Sequence, residues 1–122
     1  MSGKHILLIE DDADVREALA TVLGDAGLYV DVAADGMSGL EQLRNGARPS
    51  VIVLDLRMPR LCGGEFLREM RSDPRFEQIP VITMSAGLES SPAGESLAHL
   101  HKPFDVDDLL DIVLSLTEAE AA

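Results

Sequence analysis

The sequence predicts an α/β fold in which a parallel sheet is covered by helices on both faces. Short apolar runs alternate with amphipathic segments along the whole chain. The run at 51–54 (VIVL) is continuous and rich in β-branched residues, as in strands buried on both faces. Five strand–helix units also share 122 residues, about 24 each, the length of a compact βα unit.

The elements follow in order. Residues 6–9 form a buried strand bounded by charges. Residues 14–26 read as a helix with Val15, Leu19, Val22, Leu23 and Ala26 on one face, stopped by Gly27. Residues 29–33 are a second strand, and Met37, Leu40 and Leu43 then mark a short helix ending near Gly46 and Pro49. After the third strand at 51–54 come a helix at 65–72 and a fourth strand at 80–84. The stretch 86–96 is rich in Gly and Ser around Pro92, so it is expected to give no more than one or two turns of helix. A weaker fifth strand at 97–101 and a last helix at 106–116 complete the chain. Phe66, Phe76 and Phe104 read as core, and His5 and His101 as structural.

Length and composition bound the rest. Residues 1–122 are expected to form one domain with no output domain in the chain. The net charge is −12, which argues against direct binding to nucleic acid or an anionic membrane. That charge is uneven: residues 44–75 carry seven arginines against four acids, between two acidic ends. Cys62 is the sole cysteine, so neither an internal disulfide nor a cysteine metal cluster is expected. The N-terminal apolar run is four residues long, too short for a signal peptide or a span, and a cytoplasmic setting is the expectation.

In a parallel sheet of this kind, ligands sit at the carboxyl ends of the strands. The residues there are Glu10, Asp11 and Asp12 after the first strand, Asp55 after the third, Ser85 after the fourth, and Lys102 with Pro103 after the fifth. Asp12 fits the N-cap of the following helix equally well. Gathered carboxylates repel one another and demand a cation. Oxygen donors without His or Cys favour a hard ion such as Mg²⁺. A hydroxyl and an ammonium opposite them suit a tetrahedral oxyanion, and a carboxylate between metal and lysine is placed to act as a nucleophile. The residues therefore point to a Mg²⁺-assisted acyl-phosphate site.

This set resembles the receiver (CheY-like) domain of bacterial two-component response regulators over nearly the whole chain. The resemblance is carried by Glu10-Asp11, by Asp55 within Asp-Leu-Arg-Met-Pro, by Gly63, by Ser85-Ala86 and by Lys102-Pro103. It implies a flavodoxin-like (βα)5 doubly wound sheet of strand order 2-1-3-4-5, here with a shortened or irregular fourth helix. It implies that Asp55 takes a phosphoryl group from a sensor histidine kinase or a histidine phosphotransfer protein, and that the change is read by a downstream effector protein. Glu10, Asp11, Asp55 and the backbone carbonyl of Arg57 would hold Mg²⁺, Lys102 would contact the phosphoryl oxygens, and Ser85 would turn inward to them. The Lys102–Pro103 bond is implied to be cis.

Three positions depart from that pattern. His99 stands three residues before the lysine, where receivers carry the aromatic switch residue, Tyr or Phe. The stretch 86–96 replaces a regular helix, and Arg57, two residues after Asp55, is expected to alter the lifetime of the phosphoryl group. Apolar residues cover a wide arc of the last helix, so Leu110 and Leu114 are expected on a partner face, including a homodimer through that helix. An alternative is a receiver-fold interaction module that acts without phosphorylation. An aspartyl phosphatase would need a second Asp where Arg57 stands, and a flavodoxin-like cofactor binder would need a Gly/Ser/Thr loop in place of the acids at 10–12.

Overall fold

A computed structural model describes residues 4–57, 63–86 and 97–121, with side chains as far as Thr117. The elements are β1 (His5–Ile9), α1 (Ala13–Asp25), β2 (Tyr29–Ala33), α2 (Gly36–Arg44), β3 (Val51–Asp55), α3 (Gly63–Arg71), β4 (Val81–Ser85), β5 (Ala98–His101) and α4 (Val106–Ala121). The strands form one parallel sheet in the order β2-β1-β3-β4-β5. This is the predicted architecture, and the observed boundaries lie within a residue or two of the expected ones, except that α4 runs on to Ala121. Residues 87–96, Pro59, Arg60 and Cys62 lie outside the described residues, and with them the expected irregular helix.

Strand periodicity divides the core in two. Leu7, Ile9, Ile52 and Leu54 point to one side, where they meet Leu40 and Leu43 of α2 and Phe66, Leu67 and Met70 of α3. Ile6, Leu8, Val51 and Val53 point to the other, against Leu19 and Leu23 of α1 and Leu109 and Val113 of α4. β1, β3 and β4 are buried almost throughout, whereas the edge strands β2 and β5 are partly exposed. The three central strands are thereby fixed from both sides, and their carboxyl ends become rigid supports for side chains.

Local chemistry sets the helix ends. Asp12 caps α1, its Oδ1 accepting from the amides of Asp14 at 2.9 Å and Val15 at 3.2 Å. Asp35 caps α2 in the same way through the Ser38 amide at 2.8 Å. Gly27 leaves α1 with φ 93°, a left-handed conformation that glycine adopts without strain.

Gly63, at the start of α3, serves a different need. A Cβ there would stand 2.6 Å from Leu56 Cα and 3.2 Å from the Asp55 carbonyl oxygen. Its amide donates to the Leu56 carbonyl at 3.1 Å. α3 therefore begins in contact with the backbone that carries Asp55, and only a residue without a side chain fits.

Candidate functional site

The carboxyl edge of the sheet brings together Glu10, Asp11, Asp55, Ser85 and Lys102. Asp55 and Ser85 are the last residues of their strands, not the first beyond them, so their backbones are held in the sheet ladder. Glu10 follows β1, and its amide donates to the Ala33 carbonyl at 3.0 Å. Arg16 of α1 donates from Nη1 to the Glu10 carbonyl at 2.9 Å, and the Asp12 amide reaches Glu10 Oε2 at 3.2 Å. Asp12 is thus a cap and a support for Glu10. Arg16 was not singled out from the sequence, because the carbonyl it holds leaves no trace there.

Charge is concentrated in this corner. Glu10 and Asp55 are buried, at 0% and 4% exposure, and Asp11 is exposed beside them. One carboxylate oxygen from each of the three lies within 4.8 Å of the others. Lys102 Nζ donates to Glu10 Oε1 at 2.8 Å and lies 3.5 Å from Asp55 Oδ2. The Arg57 amide donates to Asp55 Oδ1 at 3.1 Å.

Burial, first, and then the neighbouring Glu10 carboxylate push the Asp55 carboxyl up to about 7; the Arg57 amide and Lys102 offset this only in part. For Lys102, burial pulls the ammonium down, but Glu10 and Asp55 together outweigh it and hold it above its ordinary value. The donors are oxygens only, two of them buried, with more negative charge than one lysine offsets. Such a set fits a hard divalent cation such as Mg²⁺ better than a transition metal.

Ser85 is fully buried, and its hydroxyl is engaged with His99. Ser85 Oγ lies 3.0 Å from His99 Nε2, and Thr83 Oγ1 lies 2.7 Å from His99 Nδ1. His99 is paired with Thr83 across β4 and β5. Sequence reasoning overlooked Thr83. Its signal is a hydroxyl in the middle of a fully buried strand, where a polar group needs a partner.

Other sequence expectations are met or modified by the packing. Lys102–Pro103 is a cis peptide bond. Phe66 and Phe76 are core, and Phe104 is partly buried. His101 is exposed, and His5 stacks on Tyr29 with ring centroids 5.1 Å apart. The Arg57 side chain is exposed beside the site. Leu110 and Leu114 pack at the margin of the core and are half-buried, not fully exposed. Beside Lys102, a groove of about 470 Å³ opens between α1 and the start of α4, lined mainly by Val15, Leu19, Phe104 and Val106.

Known proteins resemble this chain in sequence and fold. The family model for the response regulator receiver domain matches residues 6–114. Response regulator Rre1 of a Synechocystis strain is 33% identical over 96% of this chain and 53% of its own length. Response regulator MprA of a Mycobacterium strain is 38% identical over 87% of this chain and 47% of its own length. The chain thus spans about half the length of these two relatives. The receiver domain of Francisella response regulator 1452 superposes with a TM-score of 0.86 at 30% identity, covering 97% of this chain and 99% of that one. Vibrio cholerae chemotaxis protein CheY4 superposes with 0.82 at 28% identity, covering 94% and 99%. With the family model, the relatives and the fold in agreement, the chain belongs to the receiver domain family of two-component response regulators.

Proposed function

We propose that Asp55 is the phosphoacceptor of a two-component phosphorelay and that its phosphorylation alters the binding of a partner. The observation that carries this is a buried carboxylate at a strand end, set between acidic neighbours and a single lysine. In the step, an Asp55 Oδ attacks the phosphorus of a donor phosphohistidine. The P–N bond breaks, and the donor imidazole nitrogen keeps the electron pair. Lys102 is in reach of the phosphoryl oxygens, and Ser85 can donate to one of them once its hydroxyl turns away from His99. Glu10, Asp11, Asp55 and the Arg57 carbonyl would hold Mg²⁺. Bound there, the ion would neutralise charge on the transferring phosphoryl group.

The donor is a sensor histidine kinase or a histidine phosphotransfer protein. The domain carries out its own phosphoryl transfer and hydrolysis and acts on no separate substrate. The reader is a downstream effector protein or a second copy, bound through a face that includes Leu110 and Leu114; Leu114→Glu should weaken that association. Residues 1–122 act as one cytoplasmic receiver unit, without direct contact with nucleic acid or membrane. No helix among the described residues is long and apolar enough to cross a bilayer.

The decisive experiment is incubation with Mg²⁺ and a small acyl-phosphate donor, followed by intact-mass measurement. A phosphoryl adduct on the wild type, absent from Asp55→Asn, is expected. A folded wild type with no adduct would favour an interaction module that works without phosphate.

A further inference from the structure

Ser85 can serve a phosphoryl group only by donating its hydroxyl proton, because phosphoryl oxygens are acceptors. Where that proton lies at rest is therefore decisive, and two neighbouring strands determine it. Thr83 and His99 face each other across β4 and β5, and Ser85 follows Thr83 by one strand period, on the same face. The His99 ring spans the two hydroxyls, with Nδ1 on Thr83 Oγ1 at 2.7 Å and Nε2 on Ser85 Oγ at 3.0 Å.

A neutral imidazole has one N–H and one bare nitrogen, so the two hydroxyls cannot play the same role. Thr83 also reaches the Ala98 carbonyl oxygen at 3.3 Å, a group that can only accept. With the Thr83 proton on that carbonyl, the Thr83 oxygen receives the short bond from His99 Nδ1–H, Nε2 is left bare, and Ser85, its partner, donates to it.

We propose that Thr83 and His99 are positioning residues that hold the Ser85 hydroxyl proton on His99 Nε2, away from Asp55, in the resting domain. Engagement of a phosphoryl group then requires breaking the Ser85–His99 hydrogen bond. A Tyr or Phe side chain at position 99 would offer Ser85 no ring nitrogen. This departure from the family pattern thus acts on the serine itself. The inference rests on the phosphoacceptor reading above for its consequence, but the proton position can be measured without it.

Two measurements test it. ¹⁵N-edited NMR of the metal-free protein at a pH where His99 is neutral should show the Nδ1–H tautomer. An Nε2–H tautomer would overturn the proposal, whatever Asp55 does. The second is the affinity for beryllofluoride with Mg²⁺. His99→Phe removes the acceptor of the Ser85 proton. Thr83→Val removes the acceptor of Nδ1–H, so the ring proton moves to Nε2 and donates to Ser85. Both variants should bind beryllofluoride about three- to tenfold more tightly, the equivalent of one neutral hydrogen bond. Thr83→Ser keeps the oxygen and should restore wild-type affinity. Unchanged or weaker binding in folded Thr83→Val and His99→Phe would refute the proposal. If wild type shows no beryllofluoride binding that Asp55→Asn abolishes, the phosphoacceptor reading fails, and the tautomer alone decides where the Ser85 proton lies.

Discussion

Asp55 and Asp73 carry the same carboxyl group to opposite edges of the sheet, and their surroundings move it in opposite directions. Asp55 ends β3, buried beside Glu10, and its carboxyl is pushed up to about 7. Asp73 lies in the turn after α3, at the edge where the strands begin. There the Arg75 guanidinium at 2.7 Å and the Arg75 amide at 3.0 Å hold its carboxyl at about 2. The Asp73 pair is complete and in water, so no further charge is called for. At the carboxyl edge, three acids share one lysine in a low-dielectric corner. The same carboxyl is held ionised where its charge is matched and pushed towards its neutral form where it is not. An added cation or phosphoryl group changes the energetics of that one edge.

The largest test of this contrast is chemical. Asp55→Asn should abolish phosphoryl incorporation from an acyl-phosphate donor, whereas Asp73→Asn should leave its extent and rate unchanged, both read by intact mass. Labelling that survives in Asp55→Asn would place the acceptor elsewhere.

The next test compares a glycine at each edge. Gly63→Ala forces a methyl group against Leu56 Cα at 2.6 Å, a backbone atom that cannot step aside, and should cost about 2–3 kcal/mol in urea unfolding. Gly24 lies near the far end of α1 with open space around it. Gly24→Ala should therefore stabilise by about 0.5 kcal/mol through helix propensity and a less flexible unfolded chain. Equal effects at the two positions would show that α3 does not begin as tightly against the Asp55 backbone as these distances require.

These residues also show what was legible in the sequence. Strand and helix order was readable because each apolar run is short, bounded by charges, and followed by a helical stripe. Glu10, Asp11, Asp55, Ser85 and Lys102 were readable because parallel topology delivers all strand ends to one edge. The pairing of Lys102 primarily with Glu10 was not, since it depends on distances between elements far apart in the chain. Neither was the Thr83–His99–Ser85 arrangement, because the register of β4 on β5 decides which hydroxyls flank the ring. The wide apolar arc of the last helix did not by itself show how far its neighbours cover Leu110 and Leu114, which are half-buried. A hydrophobic arc measures what a helix could bury, but its neighbours decide what it does bury.

A smaller effect separates the two aspartates by pH. The folded Asp55 carboxyl sits near 7, above its ordinary 3.8. A group raised in this way favours the fold below its unfolded value, and that contribution is lost as pH rises through 7. In metal-free buffer, Asp55→Asn should therefore gain stability relative to wild type as pH rises from 4 to 8. Mg²⁺ should narrow the gap by stabilising the ionised wild type. A difference that stays flat with pH would mean that Asp55 is as well compensated as Asp73.

Asp73 should show the smallest change, with the opposite sign. Its carboxyl is lowered, so its contribution is present above 3.8 and lost as pH falls towards 2. The Arg75 partner is 54% exposed, and water and salt screen the pair on both sides. Thermal unfolding of Asp73→Asn at neutral pH should be indistinguishable from wild type in 0.5 M NaCl and at most slightly lower without salt. The Arg75 guanidinium also lies 4.7 Å from the Phe76 ring centroid, with Arg48 at 5.1 Å, so it keeps a contact when its carboxylate is gone. Loss of that stacking as well, in Arg75→Ala, should lower the transition further than Asp73→Asn does. If Asp73→Asn instead proves the more damaging change, the turn depends on the carboxylate as a cap for the Arg75 amide, and the matched pair at this edge is a structural brace as well as a neutralised charge.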